Sequence, residues 1–195
     1  MDNNLILNPN DKPARADALQ NRAKLLKIAH QLFNEYGVDE VSMTQIAKSA
    51  GVGQGTLYRH FANKIELCHA LLDTTQRELQ EHTFAYLKQT CDADEKLRWF
   101  LEQTATYVID NLDLLSAHEG AFGASHLGHP AHLWWRGTIH GLLAELGATN
   151  EQEYFTDTLY VLLDPLVLHF QYQHRHLSRE DILSGINSVL DRLLT

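Results

Sequence analysis

An all-α chain with a small head and a larger body is what the sequence predicts, and three observations predict it. Apolar residues recur at helical spacing along the chain, and no β-alternation of useful length appears. Helix punctuation is frequent: candidate starts at Ser42, Asn63, Asp92 and Ser178, candidate stops at Gly37, Gly51 and Gly147. Charge is unevenly spread. The whole chain carries −9, yet residues 1–72 sum to +1 and residues 73–195 to −10. A near-neutral head on an acidic body suggests two jobs.

Residues 1–17 mix Asn, Pro, Asp and Lys without period and are expected to form a flexible arm. From Ala18 a helix is predicted, with Leu25, Ala29, Leu32, Phe33 and Tyr36 on one face and Gly37 ending it. Ser42 and Gln45 form a capping box for a short helix, about 43–50, which Gly51 stops. A second short helix spans about 55–61. Asn63 with Glu66 opens a long one carried by Ile65, Leu67, Leu71 and Leu72.

In the body, Asp92 and Glu95 open a helix through Leu97, Phe100, Leu101, Tyr107 and Val108. Pro130 suits the first position of another, ending at Gly147. Thr149 and Gln152 open a helix that Pro165 should kink rather than stop. Ser178 with Asp181 opens the last, along Ile182, Ile186, Val189, Leu190 and Leu193. About nine helices are expected, divided as an arm (1–17), a helix-turn-helix domain (18–66) and a helical domain (67–195).

At 195 residues and 44% hydrophobic, the chain can bury a real core. No charged-then-apolar leader with a small-residue cleavage site is visible, so a cytoplasmic protein is expected. The run "LYVLLDPLVLHF" is interrupted by Asp164 and Pro165, and is too short and polar to span a bilayer. Cys68 and Cys91 fit no metal spacing and read as reduced thiols.

The stretch "SAGVGQGTLYRHFANK" carries the chemistry. Two short helices joined by a glycine turn make a helix-turn-helix: Ala47 is small where the helices touch, Gly51 permits φ > 0, and Leu57 fills the space between. The outer face of the second helix then holds Gln54, Thr56, Tyr58, Arg59 and His60, which suits a major-groove reader. Arginine can bond guanine twice and glutamine adenine, while tyrosine, histidine and Lys64 can reach phosphates. No G-x-x-x-x-G-K-[ST] follows a strand, and no nucleophile is spaced beside a base. On spacing alone, an ordinary helical pair with a solvated face remains open.

The segment "LLKIAHQLFNEYGVDEVSMTQIAKSAGVGQGTLYRHFANKIEL" resembles the DNA-binding domain of TetR/AcrR-family transcriptional regulators. The resemblance rests on Phe33, Tyr36–Gly37, Val41, Ile46–Ala47, Gly51–Val52, and Gly55-Thr56-Leu57-Tyr58 through Phe61 and Lys64. It implies a homodimer that binds double-stranded DNA, with a three-helix reading head and a larger regulatory domain. It implies Thr44 as a backbone contact, Gln54, Gly55, Thr56 and Arg59 near base edges, and Tyr58, His60 and Lys64 on phosphates. Gly53 departs from the pattern, since relatives often place a serine cap there.

The body carries no such motif. The resemblance implies an effector site in it, for which Trp99, Tyr107, Phe122, His126, Trp134 and Trp135 are candidates, although each also suits ordinary core. Trp134 and Trp135 point about 100° apart on a helix, so at most one should face a pocket. For the last two helices the resemblance implies a dimer interface, with Tyr160, Leu163, Val167, Phe170, Ile182, Ile186, Val189 and Leu193 as candidates; packing within the chain is the alternative. His126, His129 and His132, with His140 beyond, show a metal-like spacing that Pro130 interrupts.

Together these point to a transcriptional regulator of repressor type, released from a near-palindromic operator by a small apolar or aromatic effector, with no cofactor and no membrane partner. Two alternatives stay open: the same DNA reader with a metal ion or pH as its signal, or an enzyme on the helical body. For the enzyme, no paired carboxylates, Ser-His-Asp order or nucleotide loop can be placed.

Overall fold

The computed structural model describes residues 11–89, 91–116, 128–147 and 151–194. Every regular element among them is helical. The chain divides into two compact units, Met1–Leu71 and Leu72–Thr195.

In the first unit, α1 (Asp11–Tyr36) starts well before Ala18, so residues 11–17 are helix rather than arm. Its last turn closes on Gly37, whose amide bonds the Phe33 carbonyl at 2.8 Å with φ at 85°. Leu25, Ala29 and Phe33 are buried as the periodicity requires, but Ala18 is exposed and Tyr36 is 57% exposed. The inner face is narrower than the apolar pattern implies.

Helix α2 (Met43–Ser49) opens on the capping box: Ser42 accepts from the Gln45 amide, and the Gln45 side chain accepts from the Ser42 amide. It ends in a Schellman motif around Gly51, with Val52 N on Ala47 O at 3.0 Å and Gly51 N on Lys48 O at 3.0 Å. Gly51 sits at φ 63°, where a side chain would be strained. Helix α3 (Gln54–His60) starts one residue earlier than its pattern suggests. Gly53 caps it through its carbonyl alone, with no side-chain bond. Leu57 is fully buried on α3, which packs against α2, where Ile46 and Ala47 are buried too. Helix α4 (Lys64–Leu87) begins where Asn63 Oδ1 accepts from the Glu66 amide at 2.8 Å.

The second unit is built on α5 (Ala93–Asp110), whose Asp92 cap accepts from the Glu95 amide. The short α6 (Leu112–Ser116) follows, then α7 (Pro130–Glu145), capped by the His129 ring. Gly147 past its end has φ 80°. Helix α8 (Gln152–Val161) has Glu151 at its cap with no side-chain bond; Thr149, the expected cap, lies outside the described residues.

Pro165 does more than kink this helix. The Asp164 carboxylate accepts from the Leu166 amide at 2.9 Å, and Pro165 becomes the first residue of a separate α9 (Pro165–His169). The proline has no N–H to continue α8, and the aspartate before it is a ready cap. A π-helical turn, Phe170–His174, extends α9, with Arg175 N on Phe170 O at 3.0 Å. The last helix, α10 (Arg179–Leu193), opens on a second capping box between Ser178 and Asp181.

One apolar cluster fills this unit, from Phe100, Leu101, Ala105 and Val108 through Trp135, Ile139 and Leu143 to Leu159, Leu163, Ile182 and Ile186. Charged groups tie its rim. Arg98 holds Asp94 of its own helix and Asp191 of α10, and Arg136 on α7 holds both Glu153 and Asp157 of α8 at 2.6 Å.

Candidate functional site

Burial of Leu57 and Phe61 turns the other side of α3 outward. Gln54, Gly55, Tyr58 and Arg59 are exposed there, and Thr56 and His60 are half-buried. The polar side chains on this face are already engaged with one another. Gln54 Nε2 donates to Thr44 Oγ1 at 2.9 Å, joining the starts of α3 and α2. Arg59 folds back along its own helix: Nε donates to the Gly55 carbonyl at 3.2 Å and Nη2 to Thr56 Oγ1 at 3.1 Å. The guanidinium is therefore laid along the outer face rather than trailing in water.

Gly55 is informative in a different way. It sits inside α3 without a left-handed φ, and a Cβ built there would meet nothing within 4 Å. Glycine inside a helix costs about 0.5–1 kcal/mol relative to alanine. Nothing in the fold requires that cost, so Gly55 suits close approach of another molecule to the α3 backbone.

Lys64 is placed otherwise than the phosphate contact expected of it. Its ammonium donates to three backbone carbonyls, Val38 at 2.7 Å, Asp39 at 3.2 Å and Val41 at 3.1 Å. All three donors are thus used in holding the loop after α1 to the start of α4. At the end of α3, the Arg22 guanidinium lies 5.2 Å from the centre of the Phe61 ring, a cation–π contact.

In the second unit, the expected effector residues separate. Trp135 is buried, with Tyr107 packed edge-on at 5.8 Å and His132 at 4.7 Å. Trp134 turns to Phe84 and Phe100, and Trp99 stacks flat on Tyr86 at 4.0 Å. The two adjacent tryptophans do point apart. Phe122 and His126 lie outside the described residues. Burial pushes the Tyr107 phenol up to about 12, with the Thr75 hydrogen bond pulling the other way.

Two side chains missed by the sequence analysis lie on helices that carry or contact this group. Gln76 on α4 and Thr104 on α5 are buried, and among the described residues neither finds a hydrogen-bond partner. A signal existed: both are polar residues at inward positions of apolar stripes, Gln76 before Leu79, Thr104 between Leu101 and Val108.

The expected dimer residues divide into a buried and a partly exposed half. Tyr160, Leu163, Ile182 and Ile186 are buried in the protomer's own cluster, so they present no surface to a partner. Val167, Val189 and Leu193 are half-buried. Phe170 is 56% exposed, and the exposed apolar set on these helices also includes Tyr154, Val161 and Leu166.

The histidines have separate work. His129 caps α7, His132 Nδ1 lies 2.6 Å from the Tyr160 hydroxyl, and His140 pairs with Glu153 at 3.2 Å. Among the described residues no group of three His, Cys, Asp or Glu is placed to hold a metal ion. Among them, too, no helix is long and apolar enough to cross a membrane.

Known proteins with these features agree. The family described as bacterial regulatory proteins, tetR family, matches residues 25–71. A helix-turn-helix-type transcriptional regulator of Staphylococcus aureus (strain bovine RF122 / ET3-1) is 34% identical over 172 residues, covering 85% of this chain and 90% of the relative. A similar regulator from strain USA300 matches to the same extent. Among solved structures, a transcriptional regulator from Saccharomonospora viridis in complex with choline has a TM-score of 0.72 at 18% identity, covering 88% of this chain and 96% of that one. A TetR-family regulator from Pectobacterium atrosepticum has a TM-score of 0.70 at 21% identity, covering 92% and 95%. At such identities the structures show a shared fold.

Proposed function

This chain belongs to the tetR family of bacterial regulatory proteins, and from that premise we propose that it is a cytoplasmic repressor that binds a near-palindromic operator as a homodimer and leaves it when a small molecule binds the helical unit. The observation that carries the DNA-binding part is the outer face of α3, where Gln54, Gly55, Tyr58 and Arg59 are exposed above a buried Leu57. Gln54, Gly55, Thr56 and Arg59 meet base edges, and Thr44, Tyr58 and His60 meet phosphates. Lys64 supports this surface from behind. Met1–Leu71 is the reading head, and Leu72–Thr195 takes the effector and the partner.

The second copy docks on the exposed apolar side of α8 and α9. Tyr154 and Val161 lie two turns apart on one face of α8, and Leu166 and Phe170 continue the apolar surface on α9. The effector lies beside Tyr107 and Trp135, whose rings offer apolar walls. That a fold neighbour was crystallised with choline supports a small-molecule site on this scaffold. An effector that binds the DNA-incompetent arrangement more tightly shifts the population toward it.

Selection of random double-stranded DNA by the purified protein tests this. A near-palindromic sequence should emerge, and Arg59→Ala should lose preference at one symmetric position, at about 1–3 kcal/mol per half-site. Recovery of unrelated sequences at one affinity would overturn the operator reading.

A further inference from the structure

Several helical threonines in this chain satisfy their hydroxyls in the same local way. Thr83, Thr138, Thr156 and Thr158 each donate the hydroxyl to the carbonyl four residues back, at 2.7–2.9 Å. Thr104 is fully buried in the middle of α5, yet among the described residues its hydroxyl has no partner. The usual local bond is available and is not taken. Gln76 on α4 is 9% exposed, and neither its amide nitrogen nor its amide oxygen is bonded among those residues. The indole N–H of Trp135 on α7, 2% exposed, is another such group, as is His169 Nδ1 on α9. Buried donors and acceptors without partners carry their full desolvation penalty, so each needs an explanation.

The helices that carry the first three meet at Tyr107. Thr104 lies one turn before Tyr107 on α5, on a stripe continued by Val108 and Asn111. The Tyr107 ring touches Trp135, with centroids 5.8 Å apart. Thr75, which precedes Gln76, hydrogen bonds the Tyr107 hydroxyl and sits 3.5 Å from Asn111 Oδ1. Three helices, α4, α5 and α7, thus meet at one aromatic side chain, and each carries one of the unpartnered groups.

The charge of this neighbourhood narrows what it can take. The buried polar side chains described are Gln76, Thr83, Thr104, Asn111, His132 and Thr156, with no Asp, Glu, Lys or Arg among them. The Asp73 carboxylate acts on the Tyr107 phenol but is itself exposed, so a charged guest would find no buried counter-charge there, which is costly. Gln76 can both donate and accept, Thr104 likewise, and Trp135 can donate.

We propose that Gln76, Thr104 and the Trp135 indole N–H are the polar contacts of the effector site, and that they take a small molecule without net charge that carries both a hydrogen-bond donor and an acceptor beside an apolar or aromatic frame. This rests on the effector reading above and adds the ligand's chemical class. The three groups are then a stability cost kept for binding.

Two measurements test it. The first uses the full-length protein alone. Gln76→Leu and Thr104→Val keep volume and remove the unpartnered atoms, so each should raise Tm by about 2–4 °C. A fall in Tm for both would mean that these atoms are already satisfied, and would overturn the proposal. The second uses three probes with one ring and different charge: benzamide, benzoate and benzyltrimethylammonium, each titrated calorimetrically. Benzamide should bind wild type and lose at least about tenfold in affinity in either variant, the loss of one good hydrogen bond. Binding of benzyltrimethylammonium or benzoate in preference to benzamide, or of none of the three, would overturn the neutral class. Operator affinity of the wild-type chain, measured separately, reports the DNA-binding reading on its own.

Discussion

Gln54 donates its side-chain amide to the Thr44 hydroxyl at 2.9 Å, so the first turns of α3 and α2 hold each other. Both belong to the proposed DNA surface, and the bond gives them different roles. Thr44 fixes where the Gln54 amide points before DNA arrives. Gln54→Ala should therefore change base preference at one symmetric position, at about 1–3 kcal/mol. Thr44→Val should weaken binding to all operator variants and also blunt the preference at the position that Gln54 reads. A double-mutant cycle should give a coupling of at least about 0.5 kcal/mol. Additive losses would mean that the bond has no part in recognition.

Lys64 gives a prediction opposite in kind to that for a phosphate contact. Its ammonium is held by the carbonyls of Val38, Asp39 and Val41, charge-assisted bonds in a half-buried position. Lys64→Met should destabilise the reading head by about 2 kcal/mol. The slope of operator affinity against salt should stay as in wild type, because no counterion-releasing contact is lost. Chemical denaturation and a salt titration separate the two. A slope lower by about one unit with unchanged stability would return Lys64 to the phosphates.

The contrast between these residues shows what the sequence made legible. Caps and turns are local: Ser42 with Gln45, Asp92 with Glu95, Ser178 with Asp181 and the Gly51 turn all appear where the letters put them. The helix-turn-helix is built from such signals, so its outer face could be read directly. Lys64 could not, because its partners lie up to 26 residues away and are backbone atoms that any residue supplies. The break at Pro165, expected only as a kink, also had a local signal, since Asp164 before a proline is a cap followed by a first-turn residue. Four of the eight expected dimer residues, Tyr160, Leu163, Ile182 and Ile186, are buried in their own unit, and the letters did not show it for a more basic reason. An apolar stripe looks the same whether it faces its own core, as Ile182 and Ile186 do, or a partner.

That division has a direct test. Phe170 is 56% exposed and Val161 52%, whereas Ile186 is 4% exposed. Phe170→Glu or Val161→Glu should leave the helical signal and Tm close to wild type while shifting light scattering from dimer to monomer. Ile186→Glu should unfold the second unit, since a carboxylate would be buried without a partner. A folded, fully dimeric Phe170→Glu, Val161→Glu double variant would remove this face from the interface.

Alkaline pH should destabilise the protein, with a definite sign. Burial raises the Cys68 thiol from 9.0 to about 11, and raises the Tyr107 and Tyr160 phenols from 10.0 to about 12. Between those values the unfolded chain has released protons that the folded chain keeps. The unfolded state then binds fewer protons, so stability falls as pH rises from about 9 to 12. Below pH 9 the contribution is fully present. Thermal unfolding at pH 8, 9, 10 and 11 should show a steepening loss, less steep in Tyr107→Phe. An alkaline slope identical in that variant would mean that Tyr107 titrates like a free phenol.

Gly55 separates the needs of the fold from those of DNA. It sits inside α3 without a left-handed φ, and a Cβ there would meet nothing within 4 Å. For the isolated protein, Gly55→Ala should therefore be favourable, by about 0.5–1 kcal/mol, because alanine loses less backbone freedom on folding. For the complex it should be unfavourable, because the added methyl would stand on the face that meets the groove, between Gln54 and Arg59. A larger side chain such as Gly55→Leu should abolish specific binding and leave the fold intact. Denaturation midpoints and operator affinity, measured on the same preparations, should move in opposite directions. If Gly55→Ala gains stability and binds the operator as well as wild type, the α3 backbone does not approach DNA at this point, and the reading face must be turned toward Tyr58.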